Sequence, residues 1–178
     1  MILRRGIYAQ RLGETVLIPD DNATWTNIVG DVVTGIGTID RSTNSPSWIN
    51  GGSFGSLPLS SNGKLSFNLT SLSGYNITNG YGFFGLDPVA GSLNDNINYA
   101  FYFRNGELRI YENATQKVSL GNSFTGSEIW EIERISDTLY FKKDGIVIYT
   151  SPTTTNSELY FCCSILLYLG AENLKIIY

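Results

Sequence analysis

The chain reads as an all-β protein built from antiparallel strands, and three observations predict this. Between Asn98 and Ser151, apolar and polar residues alternate with a period of two, as in a strand with one buried face. Asn105-Gly106 and Asp144-Gly145 separate such runs, and both dipeptides accept the positive φ angles of a tight hairpin turn. No long amphipathic helical pattern occurs anywhere in the 178 residues.

The Asn98–Ser151 stretch is predicted to form one antiparallel meander. Tyr99, Phe101 and Phe103 share a face, with Ala100, Tyr102 and Arg104 on the other. Leu108 and Ile110 oppose Arg109 and Tyr111, and Trp130 and Ile132 oppose Glu131 and Glu133. Leu139 and Phe141 oppose Tyr140 and Lys142, and Ile146 and Ile148 oppose Val147 and Tyr149. One face is therefore apolar, and the other gathers Tyr, Arg, Lys and Glu. Tyr102 to Gly106 resembles Tyr140 to Gly145, and two hairpins under the same turn chemistry explain the likeness without a duplication.

The other elements follow in order. Leu3 to Ala9 and Thr15 to Ile18 are short strands around Leu12-Gly13-Glu14, and Pro19 to Asn22 is a loop of turn residues. Trp25 to Val33 is β-prone, and a further strand ends near Asp40. Arg41 to Ser47 is a polar loop, and Gly51-Gly52 bends the chain after Trp48. Leu65, Phe67 and Leu69 alternate with polar residues in a clean strand. Leu72 to Asn79 is a loop or edge strand, and Tyr81 to Leu86 is apolar enough for a central strand. Glu158 to Leu169 is apolar throughout, and its Tyr, Phe, Cys and Ile content favours a bent strand or strand pair over a helix. Leu174 to Tyr178 closes the chain as a strand. Composition does not change along the chain, so one domain is expected.

Composition excludes several functions. The chain has no histidine, which removes a Ser-His-Asp triad, a Cys-His dyad and any histidine-ligated metal. A net charge of -4 and the lack of a basic stripe argue against a nucleic-acid partner. Cys162 and Cys163 are adjacent, point to opposite faces of a strand, and are read as small apolar residues rather than a disulfide or zinc pair. No apolar run approaches a membrane span, and no leader-type apolar segment follows Met1. Residence inside the cell or in a virion, or export without an N-terminal signal, is expected.

An ordered set of short motifs carries a family resemblance. Trp25 to Gly30, Trp48 to Ser53, Gly63 to Phe67, Phe84-Gly85-Leu86, Tyr99 to Tyr102, Gly106 to Glu112, Trp130 to Arg134 and Lys143 to Ser151 stand in a familiar order and spacing. Together they resemble the concanavalin-A-like jelly-roll modules of bacterial surface and phage proteins. The resemblance spans residues 22–178 and leaves 1–21 as an N-terminal arm or added strands. It implies an all-β, two-sheet antiparallel jelly-roll sandwich. This fold hosts lectins, glycanases, adhesion modules and spacers, so the site must decide the function.

Four candidate chemistries follow. Laminarinase-type glycanases of this fold place alternating carboxylates on one strand, and retaining hydrolysis needs two carboxyls about 5–5.5 Å apart. Glu131 and Glu133 share a strand face, but Glu128 is out of step with them, so the acid triplet is broken. Asp87, Asn94, Asp95 and Asn96 offer oxygens suited to calcium but lack EF-hand spacing, and a polar turn accounts for them. Asn22, Asn68, Asn76 and Asn113 open glycosylation sequons that the Asn- and Thr-rich composition makes coincidental.

The polar face of the meander is the fourth candidate. Tyr102, Arg104, Arg109, Tyr111, Glu131, Glu133, Tyr140 and Lys142 would cluster there, with aromatic rings to stack on sugars and charged groups to bond their hydroxyls. Trp25 and Trp48 are assigned to packing. The expected function is non-catalytic attachment to a glycan or a neighbouring subunit. The setting is a virion spike or cell surface, within a larger assembly or homo-oligomer and without a cofactor. The alternatives are a glycan hydrolase using Glu131 and Glu133, and a purely structural capsid or filament subunit.

Overall fold

The computed structural model describes residues 7–11, 14–18, 26–29, 32–35, 37–41, 50–53, 58–71, 73–122 and 124–178. Trp25 and Trp48 lie outside these residues. In chain order the strands are β1 (Ile7–Arg11), β2 (Glu14–Ile18), β3 (Thr26–Val29), β4 (Val32–Gly35), β5 (Thr38–Arg41) and β6 (Asn50–Ser53). Then come β7 (Gly63–Ser71), β8 (Tyr81–Asp87), β9 (Tyr99–Arg104), β10 (Glu107–Glu112) and β11 (Thr115–Asn122). The last are β12 (Ile129–Ile135), β13 (Thr138–Lys143), β14 (Ile146–Thr154), β15 (Tyr160–Leu167) and β16 (Leu169–Ile177).

These strands form two antiparallel sheets, as the sequence predicts. The larger sheet runs β1-β2-β16-β7-β12-β13-β14, with β5 also on β16 and β4 on β5. The smaller runs β11-β10-β9-β8-β15-β6-β3. The β1–β2 hairpin joins the larger sheet where Leu17 and Val16 pair with Ile176 and Ile177.

Aromatic residues fill the space between the sheets. Phe67, Trp130 and Phe141 from the larger sheet meet Phe84, Phe101 and Phe103 from the smaller, all fully buried. The Phe101 ring lies 5.4 Å from Trp130, 5.2 Å from Phe141 and 6.2 Å from Phe67. Most of these contacts are edge-on or tilted, the arrangement that aromatic quadrupoles favour. The period-two alternation has its expected outcome for Tyr99, Phe101, Phe103, Leu108, Ile110, Trp130 and Ile132, which point inward. β14 departs from it, because a register shift leaves Ile146 exposed and packs Tyr149 on Phe141.

The meander itself divides. β9, β10 and β11 belong to the smaller sheet, and β12, β13 and β14 to the larger. The expectation of one continuous sheet fails because β11 is a strand that the sequence hides. All its residues but Val118 are exposed, since it is a sheet edge, and Val118 packs on the core. The chain reaches this edge through Asn113-Ala114, both at positive φ (49° and 59°), and then crosses to the other sheet before β12. The two predicted turns are as expected, with Asn105-Gly106 at φ 53° and 80° and Asp144-Gly145 at 51° and 78°.

The apolar run after Glu158 is a strand pair. β15 lies in the smaller sheet and β16 in the larger, joined at Tyr168 with φ 56°. Cys162 and Cys163 form no disulfide and are fully buried on opposite faces of β15. Burial pushes the Cys162 thiol up to about 12. Neither thiol of the folded protein is therefore expected to react with a thiolate-selective reagent at pH 8, whereas both react after unfolding. Rapid labelling of the native chain would contradict this packing. Replacing Phe101 by Ala should cost about 3–5 kcal/mol in urea denaturation, and a loss below about 1 kcal/mol would show that the ring does not join the sheets.

Candidate functional site

The structure places the eight predicted site residues on two opposite faces. Tyr102, Arg104, Arg109 and Tyr111 lie on the outer face of the smaller sheet, and Glu131, Glu133, Tyr140 and Lys142 on that of the larger. They do not form one cluster, because the two halves of the meander belong to different sheets.

On the larger sheet the carboxylates are paired. Lys64 Nζ stands 2.7 Å from Glu131 Oε1, and Lys142 Nζ bonds Glu133 Oε2. Tyr140 sits opposite Glu133 across the β12–β13 ladder. Each glutamate has its own lysine, so the face is closed by local neutralisation. Glu128, the third carboxylate of the motif, belongs to a turn. It accepts from the Thr125 and Gly126 backbone N–H groups at 2.8 Å each, and Lys143 lies 3.3 Å away. Burial alone would raise its pKa. Hydrogen bonds from its own backbone N–H, from Gly126 and Thr125, and from Lys143 more than offset this and hold it below the usual carboxylate range.

The outer face of the smaller sheet is aromatic. Phe83 on β8 stacks on Tyr102 on β9, with centroids 4.1 Å apart and planes 7° from parallel. Tyr111 on β10 stands nearly perpendicular to both, 5.3 Å from Phe83 and 5.6 Å from Tyr102. The cross-strand register sets this geometry, since Tyr102 pairs with both Phe83 and Arg109. The segment 88–98 covers part of this face. Ile97 joins Phe83, Ala100, Tyr102 and Cys162 in a second apolar cluster, and Ser164 Oγ donates to Asn94 Oδ1 at 2.7 Å. Tyr102 is consequently only 6% exposed, and burial raises its phenol pKa. It supports the surface rather than forming it, which corrects the expectation of an exposed Tyr102.

The accessible part centres on Tyr111, half-buried, with charged groups around it. Arg109 Nη2 donates to Glu107 Oε2 at 2.6 Å, and Ser119 Oγ donates to Glu107 Oε1 at 2.5 Å. These two hydrogen bonds hold the Glu107 carboxyl below the usual carboxylate range. Arg104 is exposed, its guanidinium 5.7 Å from the Tyr81 ring centroid, and has no salt-bridge partner among the described residues. Glu107, Ser119 and Tyr81 escaped the sequence reading. Their signal is register alone, because each lies opposite or beside a predicted residue across a ladder.

Asp87 organises the covering segment. Its carboxylate accepts from Val89 N–H at 2.7 Å, Ser92 Oγ at 2.8 Å and Asn98 N–H at 2.8 Å. Among the described residues, no group of three or more His, Cys, Asp and Glu side chains is placed to hold a metal ion.

The sandwich also has a solvent-open pocket of about 510 Å³ at one end, where the Asn105-Gly106 turn meets the segment between β11 and β12. Asn122, Phe124, Thr78 and Glu128 contribute to its walls.

Known structures share this architecture. The carbohydrate-binding module CBM66 from Bacillus subtilis superposes with a TM-score of 0.57 at 11% identity, over 88% of this chain and 96% of that one. The Ca2+-bound exoplasmic/lumenal domain of VIP36 gives 0.60 at 8% identity, over 87% and 83%. Bacillus licheniformis beta-glucanase gives 0.52 at 13% identity, over 95% and 94%. The fold is the concanavalin-A-like jelly roll. No protein-family model and no curated protein sequence matches the chain. At these identities the likeness shows the fold alone.

The depressed pKa of Glu128 predicts a pH dependence. Its contribution to stability is present above the unfolded-state value of about 4.3 and is lost as pH falls through the lower folded value. Glu128→Gln should therefore destabilise the chain near neutral pH and flatten the acid limb of the stability curve. Parallel curves for variant and wild type between pH 2 and 5 would contradict this role (about the window of carboxylate titration).

Proposed function

We propose that this chain is a non-catalytic glycan-recognition module whose contact surface is the outer face of the smaller sheet. One observation carries the reading: Tyr111 stands braced by Phe83 and Tyr102, beside Arg104, Arg109, Glu107 and Ser119. A fixed ring can lie against the C–H face of a sugar, and the surrounding donors and acceptors suit its hydroxyls. The shared fold with a carbohydrate-binding module adds support.

The lysine-paired glutamates of the opposite face argue against hydrolysis there. A general acid must deliver a proton to the leaving oxygen, and these groups are committed to neighbouring ammonium ions. Asp87 spends its oxygens on the covering segment, so recognition is proposed to need no calcium. By the same reading the module is displayed outside the cytoplasm, on a virion or cell surface within a larger assembly. A structural capsid or filament subunit is the competing outcome.

A glycan array read with the purified chain tests this. A selective hit should weaken about 10–100-fold in Tyr111→Ala, the loss typical of a buried aromatic anchor. It should be unchanged in the Glu131→Gln/Glu133→Gln double variant and in EDTA. A hit lost in the double variant instead would move the site to the opposite face. A blank array together with self-assembly in solution would favour the structural subunit.

A further inference from the structure

The pocket at the end of the sandwich adjoins the sheet face at Asn122, which pairs with Glu107, but has its own lining. Three pieces of chain converge on it. The Asn105-Gly106 turn forms one side, the end of β11 at Asn122 another, and the segment 124–128 the third. Its volume of about 510 Å³ lies within the range of small-ligand sites.

Its chemistry is selective. The apolar lining is Phe124, buried and held edge-on against Phe103 at 5.2 Å. The charges at the wall satisfy each other, because Glu128 takes its N–H donors from the adjoining turn and lies 3.3 Å from Lys143. Asn105 and Asn122 differ. Neither side-chain amide is hydrogen-bonded within the described residues, and each offers a carbonyl acceptor and two N–H donors. Between them Gly106 sits at a φ of +80°, which disfavours any side chain there.

Two open amides beside an apolar ring, with no unbalanced charge, fit a ring with hydroxyls on its edge and C–H groups on its face. An ion would find the wall charges already neutralised. A purely apolar ligand would strip water from the amides without replacing it. We propose that this pocket binds a single neutral sugar ring or a comparable cyclic polyol, independently of the sheet face. The Asn105 and Asn122 amides would clasp neighbouring hydroxyls.

The test is a titration of the full 15N-labelled chain with glucose, galactose, mannose and N-acetylglucosamine, followed through backbone amide shifts. At least one sugar should give saturable shifts centred on Gly106, Asn122 and Thr125. Asn122 is an exposed edge-strand residue, so its substitution leaves the core intact. Asn122→Ala should weaken binding about tenfold, and Asn122→Trp, which fills the pocket, should abolish it. Tyr111→Ala should leave these shifts unchanged, which separates this site from the sheet face. No saturable shift at these amides with any of the four sugars would overturn the proposal. So would shifts that persist in Asn122→Trp, or that vanish in Tyr111→Ala alone.

Discussion

The inter-sheet packing of Phe101 is the contact on which the rest depends. The ring reaches Phe67, Trp130 and Phe141 across the sandwich and neighbours Phe103 on its own strand. A strand alternates strictly, so fixing Phe101 and Phe103 inward fixes Tyr102 and Arg104 outward. The β9–β10 register then fixes Arg109 beside Tyr102 and places Tyr111 two residues further along the same face. A one-residue slip would bury the arginines and expose the phenylalanines. The binding surface is thus held in place by the core beneath it.

The two outer faces differ in character for physical reasons. On the larger sheet, Lys64, Glu131, Glu133 and Lys142 pair across neighbouring strands, and Glu131, expected on an open polar face, is buried beside Lys64. On the smaller sheet, rings occupy neighbouring positions of β8, β9 and β10, and the segment 88–98 packs Ile97 against them. β8 is consequently buried along almost its whole length. What remains accessible is a short strip towards β11, where an aromatic edge meets charged groups. The pocket at the end of the same sheet adjoins that strip through Asn122, the ladder partner of Glu107.

Much of this was legible in the sequence. Alternation identified the inward and outward residues of β9, β10, β12 and β13, and the two dipeptide turns fell where Asn-Gly and Asp-Gly predict. The ordered Trp, Gly and Phe motifs pointed to the jelly roll. Sheet membership was not legible, because period two reports which face is buried and not which sheet a strand joins. β11 escaped because an edge strand needs no apolar face. The burial of Tyr102 escaped because the covering segment 88–98 reads as a plain polar loop. The pocket could not be read at all, since Asn105, Asn122 and Phe124 meet only through the turn and the crossing between the sheets.

The most direct measurement is a crystal structure of the chain with its strongest array glycan bound. The account predicts a sugar ring against Tyr111, with hydroxyls on Arg104, Arg109 or Glu107, while Glu131 and Glu133 keep their lysines. A glycan seated on the opposite sheet, between Glu131, Glu133 and Tyr140, would contradict it and return the chain to the hydrolases of this fold.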